Sequence, residues 1–423
     1  MRVSGPTRAI RDFLVGERGR FVFEPRRDVR LPAVAAADVY IHIPFCRSLC
    51  PYCPYNRVLY DPAQARDYVR ALHCEIDRYH EQLGDVRVGS VYIGGGTPTT
   101  LIDDLGPLVE HLRKRFDPAG PLAIETTPED LDATSTRKLR NIGIDLLSIG
   151  VQSFDDRYLK LIGRRHRSGI LPDVIGRALE ADFDTVNIDL MFALPGQTTG
   201  EALADLDTAF GMGVEQVTLY PLFTFPYTTA GRHLGLANVE LPRFGTRRRM
   251  YRAIHEEALS RGCERVSVWG FKKGASTRYT SVTRNNYFGL GAGAATCLPG
   301  VFSFNTFSVP AYVRRCLRHE SAASLYLDMN AAMAGFYWLY WRLYETRIPR
   351  DDFAQRFAED AKIRWLMWLA RYLRLVDQTS AEFVLTERGA FWIHLLQNLY
   401  VLNYIDNVWS RSMRDAWPAR IEL

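Results

Sequence analysis

Two apolar patterns alternate along the first half of the chain. Short runs of β-branched and aliphatic residues occur at 39–43, 90–93, 122–125, 146–150, 186–190 and 217–220. They lack polar alternation, as parallel strands buried on both faces do. Between them the period becomes helical. In 67–83, Tyr68, Leu72, Ile76, Tyr79 and Leu83 recur at spacings of three or four, and Gly84 follows as a C-cap. Six such β-α repeats predict a parallel sheet with crossover helices. After residue 226 the repeat ends. An extension follows to about residue 300, with one more strand expected at 266–269. Beyond it Phe336, Trp338, Leu339, Trp341 and Leu343 lie at helical spacing. They read as a packed core rather than a cofactor box. The expected divisions are an N-terminal arm at 1–36 with a short helix, a main domain at 37–235, an extension at 236–300 and a helical domain at 301–423.

Length and composition refine this picture. A chain of 423 residues suits one large α/β domain with an appendage. Lys and Arg number 53 against 48 Asp and Glu, a net charge of +5 that is spread along the chain. No nucleic-acid partner is expected from that balance, and Arg247-Arg248-Arg249 reads as a solvated face. No apolar run approaches 18 residues, and no signal or lipidation motif is evident, so no membrane partner is expected. Seven cysteines, an odd number, do not suggest a disulfide framework. Cys74, Cys263, Cys297 and Cys316 stand singly. Free thiols point to a reducing compartment, and the expected location is cytoplasmic.

The other three cysteines cluster. Cys46, Cys50 and Cys53 form a C-x3-C-x2-C loop just after the first strand. Thiolates are the usual ligands of iron–sulfur clusters. Three of them on a four-iron cube leave one iron without a protein ligand, open to a substrate or cofactor. Structural zinc needs four closed ligands, and no second cysteine pair exists here. One β-α unit later comes Gly94-Gly95-Gly96-Thr97, a turn at which backbone can approach a ligand closely. Glu125 ends the third strand, where a carboxylate points into the mouth of a parallel barrel.

The loop with its flank, Tyr40-Ile41-His42-Ile43-Pro44-Phe45-Cys46, resembles the radical S-adenosylmethionine (SAM) superfamily. It is narrower still in resembling the branch of oxygen-independent coproporphyrinogen III dehydrogenase. Gly150-Val151-Gln152-Ser153-Phe154, Gly163-Arg164-Arg165-His166 and Gly289-Leu290-Gly291-Ala292-Gly293-Ala294 follow in that branch's order. Leu385-Thr386-Glu387-Arg388-Gly389 is similar to its winged-helix end. The resemblance implies an open (β/α)6 partial TIM-type barrel in the α/β class, a barrel-closing extension and a mainly α-helical, winged-helix-like C-terminal domain. It implies a [4Fe–4S] cluster on Cys46, Cys50 and Cys53, with SAM on the open iron. Gly94, Gly95, Gly96, Thr97, Glu125, Tyr40 and Tyr52 are the implied contacts of that first SAM, Tyr52 bordering the adenine. Gln152, Arg164 and Asp189 are implied contacts of a second SAM, and an Arg164–Asp189 ion pair is the structural alternative. Phe223 and Ala295 complete the cofactor set, and Tyr279, Asn285 and Asn286 are within reach of a substrate. Tyr55 and Tyr220 are the candidate catalytic side chains.

One departure matters. The coproporphyrinogen enzyme continues as C-x3-C-x2-C-x-C, and Tyr55 stands at the fourth position here. With the bulky Phe223, this leads to the expectation of a class C radical methylase. Such an enzyme uses two SAM molecules to methylate or cyclopropanate an sp2 carbon of a small-molecule substrate of natural-product type. A flavodoxin- or ferredoxin-type protein is the expected electron donor. The alternatives are a tetrapyrrole enzyme, either a haem-opening methylase or the porphyrinogen dehydrogenase, and a haem-binding chaperone. A chaperone would need a haem ligand outside the barrel, for which Cys316 and His319 are available.

Overall fold

The computed structural model describes residues 20–26, 30–223, 240–280 and 285–423, with a few single positions besides and without the side chains of 399, 400, 402, 403, 405 and 406. Half of the 1–36 arm lies outside the described residues, and of its expected short helix only positions 9, 12 and 13 are described, all helical. The arm's described part includes Val22–Phe23, which pairs antiparallel with Ile421–Glu422.

All six expected strands form. They are β1 (Ala36–Ile43), β2 (Arg87–Gly95), β3 (Leu122–Thr126), β4 (Leu146–Gln152), β5 (Thr185–Phe192) and β6 (Gln216–Pro221). Adjacent members pair in parallel in sequence order. Their side chains are buried almost throughout, which is why they lack alternation. The crossovers include α1 (Pro62–Leu83), α2 (Ile102–Phe116), α3 (Ala133–Ile142), α4 (Leu171–Glu180) and α5 (Thr199–Gly211). The expected face of α1 is buried at Tyr68, Leu72, Ile76, Tyr79 and Leu83. The helix begins five residues earlier than its apolar period suggests. Asp61 caps it by accepting from the Gln64 N–H at 2.7 Å, and Pro62 takes the first position, where its missing N–H costs nothing.

The extension adds strands at both ends of this sheet and leaves it open. Beyond β6 lies a hairpin of β7 (Cys263–Arg265) and β8 (Gly270–Lys273). Beyond β1 lie β9 (Tyr287–Leu290), parallel to it, then β10 (Ala295–Leu298), β11 (Val301–Asn305) and β12 (Ala323–Asp328), all antiparallel. Among the described residues the twelve-stranded order is β7-β8-β6-β5-β4-β3-β2-β1-β9-β10-β11-β12. The strand expected at 266–269 is instead the turn of the hairpin. Its apolar residues Val268 and Trp269 are buried by tertiary neighbours rather than by pairing.

Residues 301–328 still belong to the sheet, so the helical part starts later than residue 301. α6 (Phe244–Ser260) packs beside α5, and α7 (Val309–Cys316) packs on α1. α8 (Ala331–Tyr344) buries Trp338 and Leu339, as its apolar spacing predicts. A three-stranded sheet of Arg347–Pro349, Glu382–Leu385 and Val376–Gln378 then leads into α9 (Glu387–Tyr404), a winged-helix-like arrangement. Arg248 is no solvated residue. It forms a two-pronged ion pair with Glu387, tying α6 to the start of α9.

Candidate functional site

The cluster loop, residues 44–56, runs from the end of β1 toward α1. Its first turn is held by a short parallel pair, Phe45–Cys46 with Val58–Leu59. Two side chains anchor it from beneath. His42 is buried, which lowers its imidazole to about 4 and keeps it neutral. It bonds the Tyr40 hydroxyl through Nδ1 at 2.7 Å and the Asn56 carbonyl through Nε2 at 2.8 Å. Asn56 donates from Nδ2 to the Ala292 and Phe307 carbonyls at 3.0 and 2.9 Å, fastening the loop to the glycine-rich segment after β9. Arg57 donates to the Cys50 carbonyl at 2.6 Å.

The three thiols lie near enough to act on one another, and Cys50 is 3.6 Å from the Arg164 guanidinium. Burial pushes the Cys46 thiol up to about 12, against the Thr97 hydroxyl 3.6 Å away, and the Cys53 and Cys50 thiols add to the rise. Burial likewise raises Cys53, with Arg57 opposing it. Buried thiols of this kind ionise only against a bound cation, which inverts the local titration logic. Among the described residues no three His, Cys, Asp or Glu side chains converge as ligands of a single metal ion. A cube gives each thiolate its own iron, so its ligands stand apart. The donor set therefore fits a cluster held by Cys46, Cys50 and Cys53.

The glycines after β2 are where they are because the cluster loop lies against them. A Cβ on Gly96 would sit 2.7 Å from the Phe45 carbonyl oxygen, and Gly95 adopts a φ of +117°. Their amides are largely committed. Gly96 N–H donates to the Ile43 carbonyl at 2.7 Å, Thr97 N–H to the Phe45 carbonyl at 2.8 Å, and Gly95 N–H to Glu125 at 3.1 Å. A side chain on Gly94 would strike Tyr92 and Glu125. These glycines thus make room for the loop and for Glu125. Glu125 also accepts from the Tyr92 hydroxyl, which bonds Tyr279 at 2.7 Å. Burial holds the Glu125 carboxyl above its ordinary range despite those two donors.

The ends of β4 to β6 supply the opposite wall. Gln152 sits at a pairing irregularity with φ +75° and accepts from the Tyr220 hydroxyl at 2.7 Å. Arg164 donates to the Gly150 carbonyl and lies 3.6 Å from the Cys50 sulfur, with its Nε buried and unpartnered. Asp189 accepts from Ser148 at 3.1 Å and Asn187 at 2.9 Å, and burial pushes it up to about 7. Arg164 and Asp189 do not pair with each other, so the simple ion-pair alternative is not what forms. Tyr52 packs with Met191, Leu194 and Leu222 beside Arg164. Tyr55 is 50% exposed, with its ring 6.3 Å from that of Trp409. Phe223 packs edge-on against Trp269.

Other expected positions lie elsewhere. Ala295 opens β10 and packs into an aromatic cluster with Phe23, Phe302 and Phe304. Asn285 and Asn286 line a cavity of about 500 Å³ with Ala36, Arg87 and Glu345. Ala36 and Arg87 begin β1 and β2, so that cavity is at the end of the sheet opposite the cysteines. Cys316 is buried beside Tyr312, whereas His319 is exposed. His42, Asn56, Arg57 and Tyr92 are the contributors that motif reasoning left without a role. So is Glu129. Burial works to raise its carboxyl, but His166 and Arg164 outweigh that and hold it near 2. Their only sequence signal is proximity to the motifs, because a polar side chain carries no period that would announce its partner.

Known proteins resemble the chain in both sequence and fold. The family model described as the radical SAM superfamily matches residues 40–209. The heme chaperone HemW of Bacillus subtilis is 31% identical over 283 residues, covering 65% of this chain and 75% of the relative. The oxygen-independent coproporphyrinogen III oxidase of Paracoccus denitrificans is 25% identical over 305 residues, 67% of each chain. The solved coproporphyrinogen III oxidase of Escherichia coli (HemN) has the same fold, with a TM-score of 0.74 at 21% identity over 88% of this chain and 91% of that one. The chain belongs to the radical SAM superfamily, in the branch that holds HemW and coproporphyrinogen III oxidase. That membership implies a [4Fe–4S] cluster and SAM.

It also corrects the expectation of a class C methylase. The sequence relatives are haem chaperones and a coproporphyrinogen oxidase, which favours the two alternatives, haem chaperone and tetrapyrrole enzyme, over the methylase. Tyr55 and Phe223 misled because a missing fourth cysteine is common to the chaperone and methylase sub-branches, and one bulky pocket residue does not define a substrate. Among the described residues no helix is long and apolar enough to cross a membrane.

Proposed function

We propose that this chain is a haem-handling radical SAM protein of the HemW type. The observation that carries the reading is the combination of Tyr55 in place of a fourth loop cysteine with the match to HemW over three quarters of that protein. When bound, the cluster and SAM supply a deoxyadenosyl radical on one-electron reduction. The rest falls to the chain. Cys46, Cys50 and Cys53 hold the cluster. Glu125, the Gly94–Gly96 turn, Thr97 and Tyr40 border the methionine end, and Tyr52 borders the adenine. Tyr55 and Tyr220 face the remaining space, where burial keeps the Tyr220 phenol protonated. Seven free cysteines support a reducing, cytoplasmic setting.

A second reading, oxidative decarboxylation of a porphyrinogen, draws on the Paracoccus denitrificans match. It would use Gln152, Arg164 and Asp189 for a second SAM. The unpartnered Arg164 Nε offers a donor to that ligand's carboxylate, and the Asp189 carboxylate, held by Ser148 and Asn187, offers an acceptor to its hydroxyl or ammonium groups.

Anaerobic reconstitution separates the two. The chaperone reading expects a haem absorption band that saturates at a fixed stoichiometry, and no carbon dioxide from coproporphyrinogen III. Carbon dioxide release without haem binding would replace it with the oxidase reading.

A further inference from the structure

The barrel mouth needs one electron from outside, and one surface joined to the cluster loop by a chain of aromatic contacts has a distinct character. Tyr55, two residues after the ligand Cys53, meets the Trp409 ring at 6.3 Å, and Trp409 meets Phe307 at 6.0 Å. Phe307 leads directly into α7, and Trp409 leads into the C-terminal segment 410–420. These two segments come together where the Arg315 guanidinium lies over the Trp417 ring, 5.2 Å from its centre. Six arginines sit on them or within two residues of their ends, at 314, 315, 318, 411, 414 and 420, with the carboxylates Glu320, Asp415 and Glu422 nearby in the chain. Arg314, Arg318, Arg411, Arg414 and Arg420 are exposed. Between them Trp417 and Met413 are 41% and 36% exposed. The chain as a whole carries only a small positive excess, so this is a local concentration.

We propose that this face docks an acidic one-electron carrier protein of the flavodoxin or ferredoxin kind. The inference rests on the reading that the chain reduces a cluster at Cys46, Cys50 and Cys53. Complementary charge would steer the carrier, and the exposed Trp417 and Met413 would form the apolar centre of a small transient interface. The Trp409–Tyr55 contact continues that face inward to the cluster loop, and electron tunnelling falls steeply with distance. The step balances simply. The carrier loses one electron, the cluster gains one, no bond forms or breaks, and no proton moves.

The test uses the full chain with arginines 314, 318 and 411 reversed as R314E/R318E/R411E, all exposed and outside the barrel mouth. Binding of purified flavodoxin to the wild type should weaken as salt rises, and the triple variant should bind about tenfold or more weakly with little salt dependence. Flavodoxin-driven formation of deoxyadenosine should fall in parallel, while dithionite-driven formation stays at the wild-type level. Unchanged flavodoxin affinity in the triple variant overturns the proposal. So does a wild type that binds a short single-stranded DNA in a salt-dependent way but not flavodoxin. Absence of deoxyadenosine with dithionite in the wild type would instead count against the reading of the barrel mouth, and the binding arm would still decide the surface.

Discussion

Two carboxylates, one part-buried at the mouth of the strands and one buried at the junction of the added strands, show how differently this molecule uses the same group. Glu75 on α1 accepts from Gly291 N–H and Asn305 Nδ2, both at 2.7 Å, and from the Tyr312 hydroxyl at 2.6 Å. It is 3% exposed, and it knits α1 to β9, β11 and α7. Asp189 at the mouth has only Ser148 and Asn187, remains partly exposed, and shares its surroundings with Glu125 and Arg164. Burial raises both carboxyls. The raised pKa therefore does not mark function by itself. What separates the two is whether the donors around the carboxylate belong to the protein in full or leave space for a ligand.

The comparison can be broken at either end. Cys50→Ala, in the mouth, should abolish the cluster's visible absorption and all deoxyadenosine formation, while the thermal midpoint of the cluster-free protein barely moves. An active, iron-replete C50A protein would remove the loop from the account. Glu75→Ala, at the junction, should do the reverse. It strands an amide, an amide side chain and a phenol in the interior, costing roughly 3–5 kcal/mol in denaturant unfolding. Protein that survives the loss should still take up iron.

A smaller effect should appear in the pH dependence of stability. Asp189 is held near 7 in the folded chain, against about 3.9 for an unfolded aspartate. The folded state keeps the proton longer, so the group's stabilising contribution is complete below about pH 3.9 and is lost as pH rises toward 7. Between those limits the unfolding free energy of cluster-free protein should fall by up to about 1.4 kcal/mol per pH unit on this account. Asp189→Asn should remove that part of the slope, and Glu75→Gln should leave it in place. The smallest change is expected for Arg248→Ala, which loosens α9 from α6 at a cost of about 1 kcal/mol and leaves the mouth untouched.

The sequence by itself determined the six parallel strands, the buried face of α1 and the loop of three cysteines. Each depends on local period or spacing, and burial on both faces of a strand leaves its trace in the strand's own residues. The start of α1 was equally local, written in Asp61 and Pro62, although the apolar period alone begins later. Tertiary structure decided the rest. It turned the apolar residues 266–269 into a hairpin turn, because Val268 and Trp269 find their apolar partners across space. It moved Asn285 and Asn286 to the far end of the sheet and made Arg248 a clamp, since a polar side chain has no period and takes whichever partner the fold brings. It likewise chose His42 and Asn56 to hold the cluster loop. Their hydrogen bonds link segments separated by as many as 251 residues, and no local pattern carries a contact of that span.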